Sequence, residues 1–379
     1  MRTLDRFLAS RPLQALTFIL LAAIAVHFGL IDLHQAGAGG LLFVGLGDIG
    51  AGSAMAVNPT LTPIAIAYRN STDDLIADQV LPEVPTGQKF KWTEYPIAQA
   101  YTVPETEVGR RDAPNMVEFT GIEHEDAVVG HALKDGVPEV DIKAWEDMPK
   151  PAGGGPINPM ELSTMMTTDL ILLRREINVA KLLTDVANYK DDHVTDLSAQ
   201  GNKKWSDASS TPLDQILETL DRCLVRPNKL ALTRPAFTAL RKHPQIVQAV
   251  RGAAAYGSFK GGGNAFQTGG SISAQQLADL LELDQILIGA SWVNTAKKGQ
   301  PVAMSRTWGP HAAFVNVNAV GAQLGKPTFG FCAMWGGRQV FTNFDKDIGP
   351  EGGTEIRVVE YRKEVIVSKE AGALFRNVI

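Results

Sequence analysis

The chain has 379 residues, 45% of them hydrophobic, which is enough for two domains or for one domain with long extensions. Its formal charge of −5 excludes a bulk electrostatic case for nucleic-acid binding. The two cysteines, Cys223 and Cys332, make no CxxC pair and no zinc pattern; they read as free core thiols in a reducing compartment.

Residues 12–31, PLQALTFILLAAIAVHFGLI, contain no Lys, Arg, Asp or Glu. A run of this length is about enough to cross a bilayer. Arg2, Arg6 and Arg11 flank it as a basic n-region would, and Ala36-Gly37-Ala38 resembles a cleavage site. Met55 then opens MAVNPTLTPIAIAYRN, which suits the start of a soluble chain. Three readings of residues 1–54 stand, in this order: upstream sequence that the working protein lacks, a membrane or assembly segment, and a secretory signal.

Residues 55–85 read as an extended arm, because Pro59, Pro63, Pro82 and Pro85 interrupt its apolar runs; one short helix is expected near Asp73–Gln79. Lys89 to Tyr95 alternates polar and aromatic residues as a half-exposed strand does, and Met116 to Thr120 reads as a second strand. A polar turn region, Glu105 to Asn115, lies between them with Gly109, Arg110, Arg111 and Asp112. The result is a projecting hairpin. An isolated hairpin is marginal in water, so this one is expected to pack on a neighbouring subunit. Trp92, Tyr95, Arg110, Arg111 and Phe119 are its assembly-contact candidates.

PKPAGGGP, residues 149–156, reads as a hinge. Asn158 to Tyr189 then forms one long helix, with Asn158 as N-cap, Pro159 at the first position and Glu161 at the third. Leu162, Met166, Leu170, Leu173, Ile177, Ala180 and Ala187 form an apolar stripe along it. Downstream, Thr211-Pro212-Leu213-Asp214 starts a helix with Leu213, Ile216, Leu217, Leu220 and Leu224 on its apolar face. Lys229–Thr233 is a strand, followed by short helices at Pro235–Leu240 and Pro244–Arg251. Gly257–Gly270 is a flexible loop, and Ser273 with Gln276 makes a capping box for a helix through Leu283. Gln285–Gly289, Pro301–Arg306, Ala312–Val317, Thr328–Trp335 and Thr354–Ser368 supply strands. Helices mixed with strands that dominate the second half indicate an α+β fold.

No residue pattern commits to catalysis. Gly45-Leu46-Gly47-Asp48-Ile49-Gly50 matches GxGxxG but lacks the βαβ frame a dinucleotide site needs. Glu123-His124-Glu125-Asp126 with His131 lacks a zinc spacing and reads as a charged strand end. His243, before Pro244, reads as a helix cap, and His311 reads as a packed or surface histidine.

The order of arm, hairpin, long helix, compact α/β region and C-terminal strand resembles the major capsid proteins of tailed bacteriophages, whose Johnson fold is shared with encapsulins. Local strings carry the resemblance further: Leu61–Asn70, Val108-Gly109-Arg110-Arg111, Thr168–Arg175, LRKHPQIVQA from Leu240, SWVNTAKKG from Ser291, and Trp308-Gly309. The resemblance covers about residues 55–379. It implies an N-terminal arm at 55–85, an extended hairpin loop at 86–150, a peripheral domain at 151–210 and 345–379 that holds the spine helix, and an axial domain at 211–344. It also implies a non-enzymatic subunit without cofactor or metal, which self-assembles through pentamers and hexamers into an icosahedral shell enclosing double-stranded DNA. Implied partners are portal and scaffolding or decoration proteins, with packaged DNA held only by weak nonspecific contact. The implied location is the virion, after assembly in the bacterial host cytoplasm. A membrane contact would require residues 12–31 to be retained. Two other readings remain open, an encapsulin-type compartment and a membrane-anchored or secreted α+β protein.

Overall fold

A computed structural model describes residues 56–57, 75–96, 98–148, 157–255, 272–318 and 327–379. The chain divides into two units, Met1–Ala54 and Met55–Ile379, and the described residues belong to the second. The apolar run 12–31, the GLGDIG motif, the arm string 61–70, the hinge at 149–156 and the Gly-rich loop at 257–270 lie outside the described residues.

In chain order the strands are β1 (Ala56–Val57), β2 (Glu83–Pro85), β3 (Lys89–Glu94), β4 (Ile122–Ala127), β5 (Val129–Pro138), β6 (Val194–Asp196) and β7 (Lys229–Thr233). They continue with β8 (Gln285–Gly289), β9 (Trp292–Asn294), β10 (Met304–Arg306), β11 (Ala312–Val315), β12 (Gly330–Asp345), β13 (Gly353–Ile366) and β14 (Gly372–Arg376). The α-helices are α1 (Ala77–Val80), α2 (Ala98–Tyr101), α3 (Glu139–Glu146), α4 (Pro159–Thr184), α5 (Pro212–Arg222), α6 (Arg234–Lys242), α7 (Pro244–Ala255) and α8 (Ala274–Leu280).

Two five-stranded sheets organise these elements. The first runs β1-β12-β13-β5, with β2 added parallel to β12. The second runs β6-β14-β11-β7-β8, with β6 parallel to β14 and β8 parallel to β7. β3 with β4 and β9 with β10 form separate antiparallel ribbons. The partition expected at residue 344/345 cuts through β12, and β14 at the C-terminal end pairs with β11 in the second sheet, not with β13.

The long helix α4 links the sheets, and its 26 residues span about 39 Å at 1.5 Å per residue. Asn158 Oδ1 accepts the Met160 N–H at 2.9 Å and Pro159 occupies the first helical position, as the cap logic requires. The helix stops at Thr184, short of the expected Tyr189. Asp185 Oδ1 instead accepts the Ala187 N–H at 3.0 Å and opens a short 3-10 turn at Val186–Asn188. The N-terminal half of α4 covers the first sheet through Ile171, which packs with Val137, Val340, Ile356 and Val358. Its C-terminal half covers the second sheet, with Val179, Ala180 and Leu183 against Ala231, Val315 and Leu374. The opposite face of the second sheet carries the largest core, where Trp205, Leu230, Leu232, Phe314 and Phe375 meet α5 to α8.

The predicted stripe on α4 matches its buried face only towards the C-terminal end, where Ala180 is buried and Leu173 and Ile177 are half-buried; Ala187 lies beyond the helix. Ser163, Thr164, Thr167 and Thr168 are buried, whereas Leu162, Met166 and Leu170 are exposed. Small hydroxyl residues suit a close approach of the helix to the sheet, and Ser163 Oγ donates across to Asp135 of β5 at 2.7 Å, whereas two threonines are satisfied within the helix. Thr164 Oγ1 donates to the Met160 carbonyl at 2.8 Å, and Thr168 Oγ1 donates to that of Thr164 at 2.7 Å.

Met116 to Thr120 forms no strand. The partner of β3 is β4, with Trp92 opposite His124 and Lys91 opposite Glu125. The β4 sequence, IEHEDA, has no apolar alternation because its ribbon is paired by charge: Lys91 Nζ lies 3.5 Å from Glu125, and His124 Nε2 lies 2.9 Å from Glu94. Most other expectations hold within a few residues, although β12 runs to Asp345, well beyond the expected end at Trp335. Ser273 and Gln276 form the capping box of α8, and His243 Nδ1 accepts the Gln245 N–H at 3.3 Å at the start of α7. Both cysteines are buried and free.

Candidate assembly surfaces

The extended loop is anchored at its base and open along its length. Phe90 is buried against Phe331, Ala333 and Val365, which fixes β3 to the first sheet. Trp92 stacks on the His124 ring at a centroid distance of 5.2 Å and on Phe90 at 5.6 Å. Beyond this base, Gln99 ties the two limbs together: its Nε2 donates to the Thr120 carbonyl at 2.9 Å, and its Oε1 accepts the Thr120 N–H at 3.1 Å. Arg110 and Arg111 sit at the tip in a turn closed by the Asp112 N–H to the Gly109 carbonyl at 3.1 Å.

Four of the five predicted contact residues are exposed on this loop, with Tyr95 at 61% and Phe119 at 68% alongside Arg110 and Arg111. Trp92 differs: it is half-buried inside the β3–β4 ribbon and serves the loop's own stability. Residues missed by sequence reasoning include Met116, 97% exposed, and Val103. Their signal is an apolar side chain in a segment with no periodicity to bury it. Single exposed apolar residues are ordinary, but a concentrated run marks an interaction surface.

A second apolar surface lies on α4. Leu162, Met166 and Leu170 recur every four residues and line one helical face. Its neighbours on the buried side explain why the helix is held rigidly. Arg175, fully buried, pairs with Asp78 at 2.7 Å and with Glu83. Glu176, next to it, accepts the backbone N–H groups of Ile76 and Ala77 and the indole N–H of Trp308. Burial pushes the Glu176 carboxyl above its ordinary range, against the pull of those donors. Consecutive charged residues on α4 thus fasten the end of the arm, β2 and the segment after β10.

A third buried charge group stiffens the first sheet. Between Trp335 and Gln339, Gly336, Gly337 and Arg338 face the single residue Glu360, and both glycines have φ of +70°. This bulge, which needs glycine, delivers Arg338 Nε to Glu360 at 2.9 Å. Arg362 Nη1 approaches the other carboxylate oxygen at 2.8 Å. Burial raises Glu360, but Arg338 and Arg362 outweigh it and hold the carboxyl below its ordinary range. Among the described residues, no group of three His, Cys, Asp or Glu side chains is placed to hold a metal ion. No described helix is long and apolar enough to cross a membrane.

Comparison with known proteins gives this arrangement its context. The chain is 38% identical over 324 residues to the major capsid protein of Pseudomonas phage JBD67, a match covering 85% of this chain and 97% of that protein. The chain belongs to the bacteriophage major capsid protein family. It is also 24% identical over 239 residues to the major capsid protein of Burkholderia phage BcepMu, covering 62% of this chain and 68% of that one. Among solved structures it resembles a phage-related protein from Bordetella bronchiseptica RB50, with a TM-score of 0.63 and 22% identity over 86% of this chain and 98% of that one. That likeness concerns the fold. No family model matches the chain. As a major capsid protein it is a structural subunit and not an enzyme, in agreement with the expectation from the sequence.

Proposed function

We propose that this capsid protein builds its shell by laying the extended loop of one copy across the Leu162-Met166-Leu170 face of α4 in the next. The observation that carries this reading is the pair of unpartnered apolar surfaces within one chain: Met116, Phe119 and Tyr95 on the loop, and the α4 stripe. Each is poorly suited to water, and the burial of apolar surface contributes about 25 cal/mol per Å². Tyr95, Arg110, Arg111 and Phe119 are the contacts of the loop, while Trp92 supports it from within.

In this reading residues 55–85 form the arm, 86–150 the extended loop, 151–210 with 345–379 the peripheral domain and 211–344 the axial domain. Copies associate head to tail into pentamers and hexamers, because heterologous contacts close into rings. The shell encloses double-stranded DNA held by weak nonspecific contact, in keeping with a net charge of −5. Portal and scaffolding or decoration proteins complete it, with assembly in the host cytoplasm.

The full chain, expressed alone and with candidate scaffolding partners, is to be followed by sedimentation velocity and negative-stain electron microscopy. Closed shells or capsomer rings are expected. A strictly monomeric product in every salt and scaffold condition would overturn the reading.

A further inference from the structure

Among the described residues strand β8 is one of the two edges of the second sheet, and the segments flanking it carry opposite charge. Before its N-terminal end, the last turn of α8 exposes Asp279 and the turn after it exposes Glu282 and Asp284. Arg226 lies 3.0 Å from Glu282 and 2.9 Å from Asp221, so part of this acidity is offset locally and a surplus remains. Beyond the C-terminal end the chain leaves as the β9–β10 ribbon. Residues 290–311 contain Lys297, Lys298 and Arg306 and no Asp or Glu.

The ribbon pairs with no other described strand, and its tip, including Lys297 and Lys298, is exposed. Trp292 and Met304 lie on the same face of it and are both exposed, with the Arg306 guanidinium 4.3 Å from the Trp292 ring centroid. A two-stranded ribbon is marginal alone, and one that presents a tryptophan and a methionine outward is suited to a partner surface.

The geometry points to a head-to-tail contact in which the basic β9–β10 ribbon of one copy docks at the acidic corner, Asp279 to Asp284, of the next. The occupant is a second copy because both halves of the contact belong to one chain, at opposite ends of one edge strand. A symmetric contact between two ribbons would set lysine against lysine, whereas a head-to-tail contact sets lysine against carboxylate. Repetition of such a contact generates a ring. Trp292 and Met304 supply the apolar centre of this contact and the charges fix its register. The inference rests on the shell-building reading and adds a contact separate from the loop on α4.

A charge swap in the full chain tests it. Lys297→Glu with Lys298→Glu, and separately Asp279→Lys with Glu282→Lys, should each lower the association constant by about tenfold or more, the equivalent of one close charge pair. The fourfold variant should recover most of that loss, as a coupled pair does. Glu282→Gly provides a second check: Glu282 has φ of +57°, where glycine is the usual residue, so this change removes charge without threatening the turn. It should weaken association with no loss of subunit stability. Sedimentation velocity reads association, and thermal unfolding reads the subunit. Wild-type association by the Lys297→Glu/Lys298→Glu variant would overturn the contact, as would a fourfold variant no better than the worse double. So would shells that assemble normally but lose packaged DNA, which would assign the lysines to nucleic acid. Failure of the unmodified chain to associate would sink the shell-building reading together with this contact.

Discussion

The Trp308 indole nitrogen lies 2.5 Å from a carboxylate oxygen of Glu176, and the same carboxylate accepts the backbone N–H groups of Ile76 and Ala77 at 2.9–3.1 Å. One side chain of α4 therefore holds both the end of the arm and the segment that leads from β10 into the second sheet. Glu176→Ala would strand three donors in a buried site, and an unmet buried donor costs about 1–3 kcal/mol. A loss of about 3 kcal/mol or more is expected from urea unfolding of dissociated subunits. Trp308→Phe removes one donor and should cost less. Equal stability of Glu176→Ala and the parent would contradict the clamp.

Glu360 should make the subunit acid-sensitive. Its carboxyl is held below its ordinary value of 4.5 by Arg338 and Arg362, despite burial. A carboxylate whose folded pKa is depressed contributes stability that is fully present above the unfolded value and is lost as pH falls through the folded one. Subunit stability should therefore decline below about pH 4.5. Glu360→Gln should be less stable at neutral pH and should flatten that decline. Parallel pH profiles for the two proteins would rule out Glu360 as the source. His131, opposite Glu360 on β5, has its own pKa lowered by burial and by Arg362.

If the exposed α4 face is an assembly contact, substitutions there should separate folding from assembly. Met166 is 61% exposed and Leu170 is 57% exposed, whereas Ile171 is buried. Met166→Glu with Leu170→Glu should change subunit stability by no more than about 0.5–1 kcal/mol, yet abolish shells. Ile171→Ala should cost about 2–4 kcal/mol through the cavity it opens. Melting curves and particle counts by electron microscopy distinguish the two, and normal shells from the double glutamate would refute the loop-on-helix contact.

Charge reversal at the loop tip, Arg110→Glu with Arg111→Glu, is expected to impair assembly far more than subunit folding. Both residues are exposed in a turn, so the folded subunit does not depend on them. Unfolding in step with loss of shells would assign them an internal role instead.

Leu173→Pro should abolish fold and shell together. Proline inside α4 removes a hydrogen bond and clashes with the preceding turn, at a cost of about 3 kcal/mol or more. The helix cannot yield locally, because Arg175 and Glu176 lie immediately beyond the kink. Retained helicity by circular dichroism with normal shells would show that α4 is not the strut between the sheets.

Much of this architecture is local chemistry. Asn158-Pro159 starts α4, Ser273 and Gln276 cap α8, and the apolar run Gln285–Gly289 is a strand, all as read from the chain. Errors arose where burial and periodicity part. IEHEDA carries no apolar alternation, yet it pairs with β3 through charges. Met116 to Thr120 alternates correctly but has no sheet to join.

The sequence by itself determined most of the element types, the caps of α4 and α8 and the family resemblance, because these depend on residues close together in the chain. Only the tertiary structure decided which face of α4 is buried. Hydrophobicity assigns Leu162, Met166 and Leu170 to the inside. The structure buries Ser163, Thr164, Thr167, Thr168, Arg175 and Glu176 instead: Thr164 and Thr168 bond back to their own helix, Ser163 donates to Asp135 on β5, and the two charges find partners about 90 to 130 residues away. Satisfaction of buried polar groups is a property of the assembled fold. That is why the apolar face that α4 leaves in water is defined only by the folded chain.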